Sequence, residues 1–267
     1  MTVPETAPTT KSLPVMLLCG GLGLRQRTNT DDTPKPLRAL PDGRALLLHV
    51  LDYYQASGRD EFVLCVGYGA DAIRQVLLAD YGVRPQDVET GANWHRFTTD
   101  RARITLVDSG PHAEKSKRML DARPHIGGRP FFLGYADVLS DFDLGALVTL
   151  YEGTDATVVL AATRVRSRYG ELTAGADDLV TSFAEKPLRP ELVSAGYFLC
   201  APELLAELAD SEVPPEFEDD VLPKLVARSR VRAVVHQGLW LPFDTYKDFT
   251  EAESLIAREG RPWLTAV

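Results

Sequence analysis

Cysteine is scarce in this chain. Cys19, Cys65 and Cys200 are the only three among 267 residues, and each lies in or beside an apolar run. There is no C-x-x-C, and an odd count without framework spacing argues against a disulfide scaffold and for a reducing cytoplasm. Long apolar runs are missing as well, since none reaches the ~18 residues of a membrane span. Positive charge is not in excess. Lys and Arg number 29 against 38 Asp and Glu, a net charge of −9, so bulk attraction to nucleic acid or to an anionic membrane is not expected. A polyanionic ligand would need a local cluster of cations or a bound metal. Residues 1–12 lack the apolar middle of a signal peptide and read as a disordered tail.

Two phosphate fingerprints are also missing from the stretch LLCGGLGLRQRTNTDDTPKPL. It has no third glycine at the spacing of the dinucleotide motif, which weakens a reading as an NAD-linked oxidoreductase, and it has no G-x-x-x-x-G-K-[ST]. What it does hold is a strand-like run, PVMLLC, that opens into Gly20, Gly21, Leu22 and Gly23, with Arg25 and Lys35 behind them. Glycines let a backbone approach a ligand closely. Free N–H groups in such a turn suit a polyphosphate, and the two cations would supply its countercharge. The plainer alternative is a glycine-rich turn of structural use only.

Strand-like and helix-like segments alternate along the chain. EFVLCVGYG, ITLVDSG, PFFLGYAD and DATVVLAATRV read as strands. ALLLHVLDYYQASG, DAIRQVLLADYG, KSKRMLDAR and DLGALVTLYEG read as helices, with Asp71 as the cap of the second. Continuous apolar strands between helices indicate a mostly parallel, doubly wound α/β sheet covered on both faces. The C-terminal part adds strands at DDLVTSFAEKP, VSAGYFLC and VRAVVHQG, and helices at APELLAELAD, FEDDVLPKLVARS and TYKDFTEAESLIAREG. Ligands of such folds bind at the carboxyl ends of the parallel strands. Asp137, the Glu185-Lys186 pair and Asp244 all fall at predicted strand ends. An aspartate there often caps a helix or forms a turn, and a lone lysine is usually solvated. Together with the glycine loop, however, the set suits metal-assisted nucleotidyl transfer. Mg²⁺ takes one or two carboxylates plus phosphate oxygens, while Arg25 and Lys35 would neutralise leaving phosphates and Lys186 an incoming one.

These segments resemble the sugar-1-phosphate nucleotidyltransferase family, and among its members the glucose-1-phosphate cytidylyltransferases. LCGGLGLR is similar to L-A-G-G-x-G-T-R. TPKP is similar to K-P-K-P, YADVLSDFD to Y-G-D-G-V-x-D-L-D, FAEKP to F-x-E-K-P, and WLPFDT to W-x-P-M-D-T. No internal repeat or low-complexity linker breaks the chain, which reads as a single domain over 13–267, and the resemblance, over about residues 14 to 264, implies a Rossmann-like nucleotidyltransferase that assembles as a homo-oligomer. It implies that an NTP and a sugar 1-phosphate give an NDP-sugar and pyrophosphate. It puts Arg25 and Lys35 on the triphosphate, Asp137 and Asp244 on Mg²⁺, Lys186 on the sugar phosphate and Glu185 on sugar hydroxyls.

Departures from the family pattern fall on the base and acceptor sides. Leu24 and Thr33 replace residues of the loop, and Ala136 and Val138 flank Asp137 where glycines are usual. Lys115-Ser116-Lys117-Arg118 stands where T-G-G-R lies near the base, so only Arg118 is kept. Tyr169-Gly170-Glu171-Leu172 stands where F-G-A-L is usual, and Ser194-Ala195-Gly196 where N-G-G is usual. The expectation is a working enzyme with CTP as favoured donor and an acceptor other than glucose 1-phosphate, such as a cyclitol phosphate or an unusual sugar. UTP, dTTP or GTP as donor, and a non-catalytic nucleotide-binding regulator, stay open as alternatives.

Overall fold

The computed structural model describes residues 13–20, 33–209 and 215–264. The expected tail and Gly21, Leu22, Gly23 and Arg25 lie outside the described residues. The strands in chain order are β1 (Val15–Leu18), β2 (Glu61–Val66), β3 (Glu89–Thr90), β4 (Trp94–Thr98), β5 (Arg103–Asp108), β6 (Phe131–Tyr135), β7 (Val138–Ser140), β8 (Val158–Arg166), β9 (Glu171–Ala174), β10 (Val180–Ala184), β11 (Leu188–Cys200), β12 (Val231–Val235) and β13 (Trp240–Pro242). The helices are α1 (Leu46–Ala56), α2 (Ala70–Asp80), α3 (Lys115–Ala122), α4 (Leu144–Glu152), α5 (Glu203–Ala209), α6 (Leu222–Ala227) and α7 (Tyr246–Glu259).

Nine strands form one sheet in the order β12-β8-β11-β6-β1-β2-β5-β4-β3. The pairings β1–β2, β1–β6, β2–β5 and β12–β8 are parallel. Only β11 and β4 run against their neighbours, so the sheet is mixed and mostly parallel. Two further ladders stand apart from it, β9–β10 and β7–β13.

Alternation along the strands explains the layers. In β1, Val15 and Leu17 pack on one face and Met16 on the other. In β2, Phe62, Leu64 and Val66 join the first face, while Val63 and Cys65 join the second. Helices α1, α2, α4 and α7 cover the first face, and α3, α5 and α6 the second. Cys19, Cys65 and Cys200 are free and buried.

Two local readings change. Asp71 does not cap α2, because Gly69, in a left-handed conformation, holds the cap position and Asp71 sits inside the first turn, 2.8 Å from Arg74. The helix expected at FEDDVLPKLVARS opens as a π-helical turn over Phe217–Val221, where Phe217 and Val221 are both buried. It becomes α-helical at Leu222, with Pro223 in the first turn, where its missing N–H is tolerated.

At the carboxyl edge the chain leaves β1, β2 and β5 through loops that one buried side chain ties together. Arg118, on α3, donates from Nη1 to the Val66 carbonyl (2.6 Å), from Nη2 to the Gly20 carbonyl (2.9 Å) and from Nε to the Ala113 carbonyl (2.9 Å). A methyl group at Gly20 or Gly67 would overlap this guanidinium, so both positions need glycine for packing. Arg118→Met would leave the buried Gly20 carbonyl without a donor among the described residues and the Val66 carbonyl with only the Ser109 N–H at 3.3 Å, and we expect it to lower stability by about 1–3 kcal/mol. Urea unfolding measures this, and a loss below about 0.5 kcal/mol would mean that other donors hold the loops.

Candidate functional site

Asp137 and Asp244 are 107 positions apart in sequence, and a short ladder brings them together. β7 begins one residue after Asp137, and β13 ends two residues before Asp244. The two strands pair antiparallel, Val138 opposite Pro242, Leu139 opposite Leu241 and Ser140 opposite Trp240. The Phe243 N–H extends the ladder by donating to the Asp137 carbonyl at 2.9 Å. Thr245 then starts α7 with a capping box, its hydroxyl accepting from the Asp248 N–H while the Asp248 carboxylate accepts from the Thr245 N–H. The backbone of Asp244 is thereby fixed on both sides.

Lys35 closes the arrangement. Its Nζ lies 2.6 Å from Asp137 Oδ2 and 3.0 Å from Asp244 Oδ1. The lysine side chain is 14% exposed, that of Asp137 31% and that of Asp244 54%. Two adjacent carboxylates repel in a partly desolvated site, and the ammonium between them offsets that repulsion. The donor set fits a cation: oxygen ligands from two carboxylates, partly open to solvent, with a positive charge already between them.

The carboxylates edge a cavity of about 770 Å³ whose wall includes Gly20, Arg118, Asp137, Ser194, Ala195, Gly196, Trp240 and Asp244. Gly196 has a φ of +83°, and a Cβ there would approach the Tyr135 ring to 2.8 Å, so this wall too needs glycine. The Trp240 indole donates to the Ala195 carbonyl at 2.9 Å and ties β13 to β11. Lys115 lines the same cavity, 2.6 Å from Glu218 Oε1 and over the Tyr135 ring at 5.4 Å. The Tyr135 hydroxyl donates to the same Glu218 oxygen. Burial first, and Glu218 second, push that phenol far above its ordinary pKa, so it serves as a hydrogen-bond donor and not as a base. Cys19 lies beside this edge, and its thiol is likewise pushed up, mainly by burial, so it is not a thiolate nucleophile.

The structure therefore brings together Gly20, Lys35, Arg118, Asp137, Ser194, Ala195, Gly196 and Asp244. Arg118 is at the cavity wall, but its donors point at backbone carbonyls, including that of Pro111 at 3.4 Å. Its visible work is to frame the wall. Of the two residues that flank Asp137 where glycines are usual in the family, only Val138 lines the cavity; Ala136 is buried in the core.

Tyr169 lines a neighbouring cavity of about 800 Å³, which shares Trp240, Pro242 and Asp244 with the first. Gly170, Glu171, Glu185 and Lys186 are in the lining of neither. They belong to the β9–β10 arm, a ladder separate from the main sheet with an almost wholly exposed surface. Glu171 pairs with Arg189 at 3.0 Å, and Lys186 with its neighbour Glu185 at 3.4 Å. The expected convergence of Lys186 on the carboxylate pair is thus absent among the described residues, because strand-end position alone cannot tell a strand of the main sheet from one in a detached arm. Among the wall residues left unassigned in the sequence are Trp240, Tyr135 and Lys115. Trp240 had a signal, its place in WLPFDT. The partnership of Lys115 with Glu218 spans 103 positions and leaves no local pattern.

A nucleotidyl transferase family profile matches residues 14–259. A probable glucose-1-phosphate cytidylyltransferase of Bacillus subtilis is 29% identical over 93% of this chain and 98% of its own length. The glucose-1-phosphate cytidylyltransferase of Salmonella typhimurium is 28% identical over 94% of this chain and 98% of its own. In fold, the chain is similar to a putative glucose-1-phosphate thymidylyltransferase from Bacillus anthracis, with a TM-score of 0.68 at 14% identity, covering 93% of this chain and 96% of the other. The chain belongs to the nucleotidyl transferase family, among the sugar-1-phosphate nucleotidyltransferases.

Proposed function

We propose that the protein transfers a nucleotidyl group from an NTP, with CTP preferred, to a sugar 1-phosphate or related phosphate, in the presence of Mg²⁺. The observation that carries this reading is the Asp137–Lys35–Asp244 cluster at the edge of the cavity walled by Gly20, Arg118 and Gly196, a place where charge on phosphate oxygens can be neutralised. A phosphate oxygen of the acceptor attacks the α-phosphorus, the bond from that phosphorus to the bridging oxygen breaks, and pyrophosphate leaves with both electrons of that bond. Asp137 and Asp244 would hold Mg²⁺, which supplies Lewis-acid polarisation of the phosphoryl oxygens. Lys35, and Arg25 by its place in the sequence, would carry positive charge to the triphosphate. Gly196 and Ser194 leave the wall open for the acceptor. The neighbouring cavity, lined by Arg164, Arg166, Arg168 and Arg189, offers the acceptor's phosphate a cationic approach. Lys186 and Glu185, assigned to the acceptor by resemblance, require the arm to move toward the cavity when the ligand binds.

CTP is favoured because the cytidylyltransferase relatives are matched over nearly their whole length. An acceptor other than glucose 1-phosphate is favoured by the short Ser194 side chain in the wall. A cytoplasmic location is supported by three free, buried thiols, and among the described residues no helix is long and apolar enough to cross a membrane. A homo-oligomer is supported by exposed Leu172, Val180, Phe183 and Leu188 on and beside the arm; light scattering at the monomer mass of 29.4 kDa would remove that reading.

The function is tested in two stages. With Mg²⁺, CTP at about 100 times its Kd should stabilise the fold by about 2.7 kcal/mol, read as a rise in melting temperature that UTP, GTP, ATP and dTTP do not match. Pyrophosphate release across a panel of phosphate acceptors should then show glucose 1-phosphate at least about tenfold below the best acceptor in kcat/KM. A larger shift with another NTP moves the base assignment, and full efficiency with glucose 1-phosphate contradicts the altered acceptor. No shift and no release with any combination would overturn the proposal.

A further inference from the structure

The place of Lys35 is unusual for a residue meant only to touch a triphosphate. Its ammonium lies on one oxygen of each carboxylate, at 2.6 and 3.0 Å. Its backbone is anchored. Lys35–Leu37 is a 3₁₀ turn between Pro34 and Arg38, with Pro36 buried and the Leu37 N–H donating to the Pro34 carbonyl at 2.8 Å. The Lys35 stem is four flexible carbons ending in a compact, strongly hydrated charge. The turn is therefore fixed while the charge at the end of the stem can move.

An ammonium and a divalent cation compete for the same oxygens. We propose that Lys35 is a placeholder cation: it occupies Asp137 and Asp244 in the nucleotide-free protein and excludes a divalent metal until the phosphates of an incoming nucleotide draw its ammonium away. The metal then enters with the nucleotide and not before it. This rests on the reading of Asp137 and Asp244 as the metal site. With Lys35 in place the cluster carries a net charge of −1 and two of its four carboxylate oxygens are engaged. Without it the charge is −2 and, among the described residues, none of the four has another hydrogen-bond partner. A triphosphate offers the ammonium a partner of higher negative charge, so the transfer is downhill for the lysine and unmasks the aspartates. A lysine acting as a rigid strut between two metal ligands makes the opposite prediction, because its loss would let them drift apart.

The test is the binding of Mn²⁺ alone to the nucleotide-free full chain, with free Mn²⁺ read by electron paramagnetic resonance. The wild type should bind weakly. Lys35→Met should bind at least about tenfold more tightly, and Lys35→Met combined with Asp137→Asn should lose that gain. Lys35→Arg, which keeps the charge, should stay near the wild type. Weaker binding by Lys35→Met than by wild type overturns the placeholder in favour of a strut. Should Lys35→Met not fold, as judged by its melting curve, the wild type against Asp137→Asn decides. Tight, Asp137-dependent Mn²⁺ binding by the nucleotide-free wild type overturns the placeholder while leaving the metal site intact; weak binding that added CTP strengthens in the wild type but not in Asp137→Asn supports it, and weak binding with no such Asp137-dependent gain overturns it. No Asp137-dependent binding in a folded Lys35→Met overturns the metal-site reading along with the placeholder.

Discussion

Three residue pairs of antiparallel ladder, β7 against β13, hold the active edge together. Asp137 arrives from the central sheet at the end of β6, and Asp244 from a late excursion of the chain just before α7. Neither strand belongs to the nine-stranded sheet, so the ladder is what makes neighbours of the two carboxylates. Its surroundings reinforce it. Ser140 is buried, donates to the Leu239 carbonyl at 2.7 Å and lies 3.2 Å from His236 Nε2, which in turn is 2.9 Å from Asp141. The Trp240 indole fastens the other strand to β11. Lys35 then spans the pair at the exposed end, where charge, and not packing, decides the geometry.

The opposite wall is built on another principle. Gly20, Gly67 and Gly196 each stand where a Cβ would collide with a neighbouring side chain, Arg118 for the first two and Tyr135 for the third. Gly20, Arg118, Tyr135 and Gly196 all line the cavity, so this part of its wall is set by close packing of backbone against large side chains, whereas its carboxylate edge is set by charge.

Much of this was legible in the sequence. The strands β1, β2, β5, β6 and β8 announce themselves as apolar runs, and the helices between them as amphipathic segments, because burial on both faces of a central sheet leaves a strong local signal. Asp137, Asp244 and Lys35 were legible as a set through motif spacing. The ladder that joins the aspartates was not, because three-residue strands such as VLS and WLP carry too little periodicity to read. The antiparallel β3–β4 edge, at ET and WHRFT, is half exposed and mixed in polarity, and escaped for a similar reason. The bridging position of Lys35 is a tertiary fact about a flexible side chain. The detachment of the β9–β10 arm, which leaves Lys186 outside the cavity lining, is likewise invisible in FAEKP, since the motif names a chemical role and says nothing of where the strand stands before a ligand binds.

The central claim is that Asp137 and Asp244 serve transfer at the α-phosphorus, and the reverse reaction tests it without knowledge of the natural acceptor. The protein would be incubated with pyrophosphate, Mg²⁺ and a panel of CDP-, UDP-, GDP- and dTDP-sugars, and the NTP formed would be measured. NTP is expected from at least one of these, with CDP-sugars leading, and a fall on the order of a hundredfold or more in Asp137→Asn and in Asp244→Asn. Equal rates in wild type and both variants, or no NTP from any member of the panel, would contradict it.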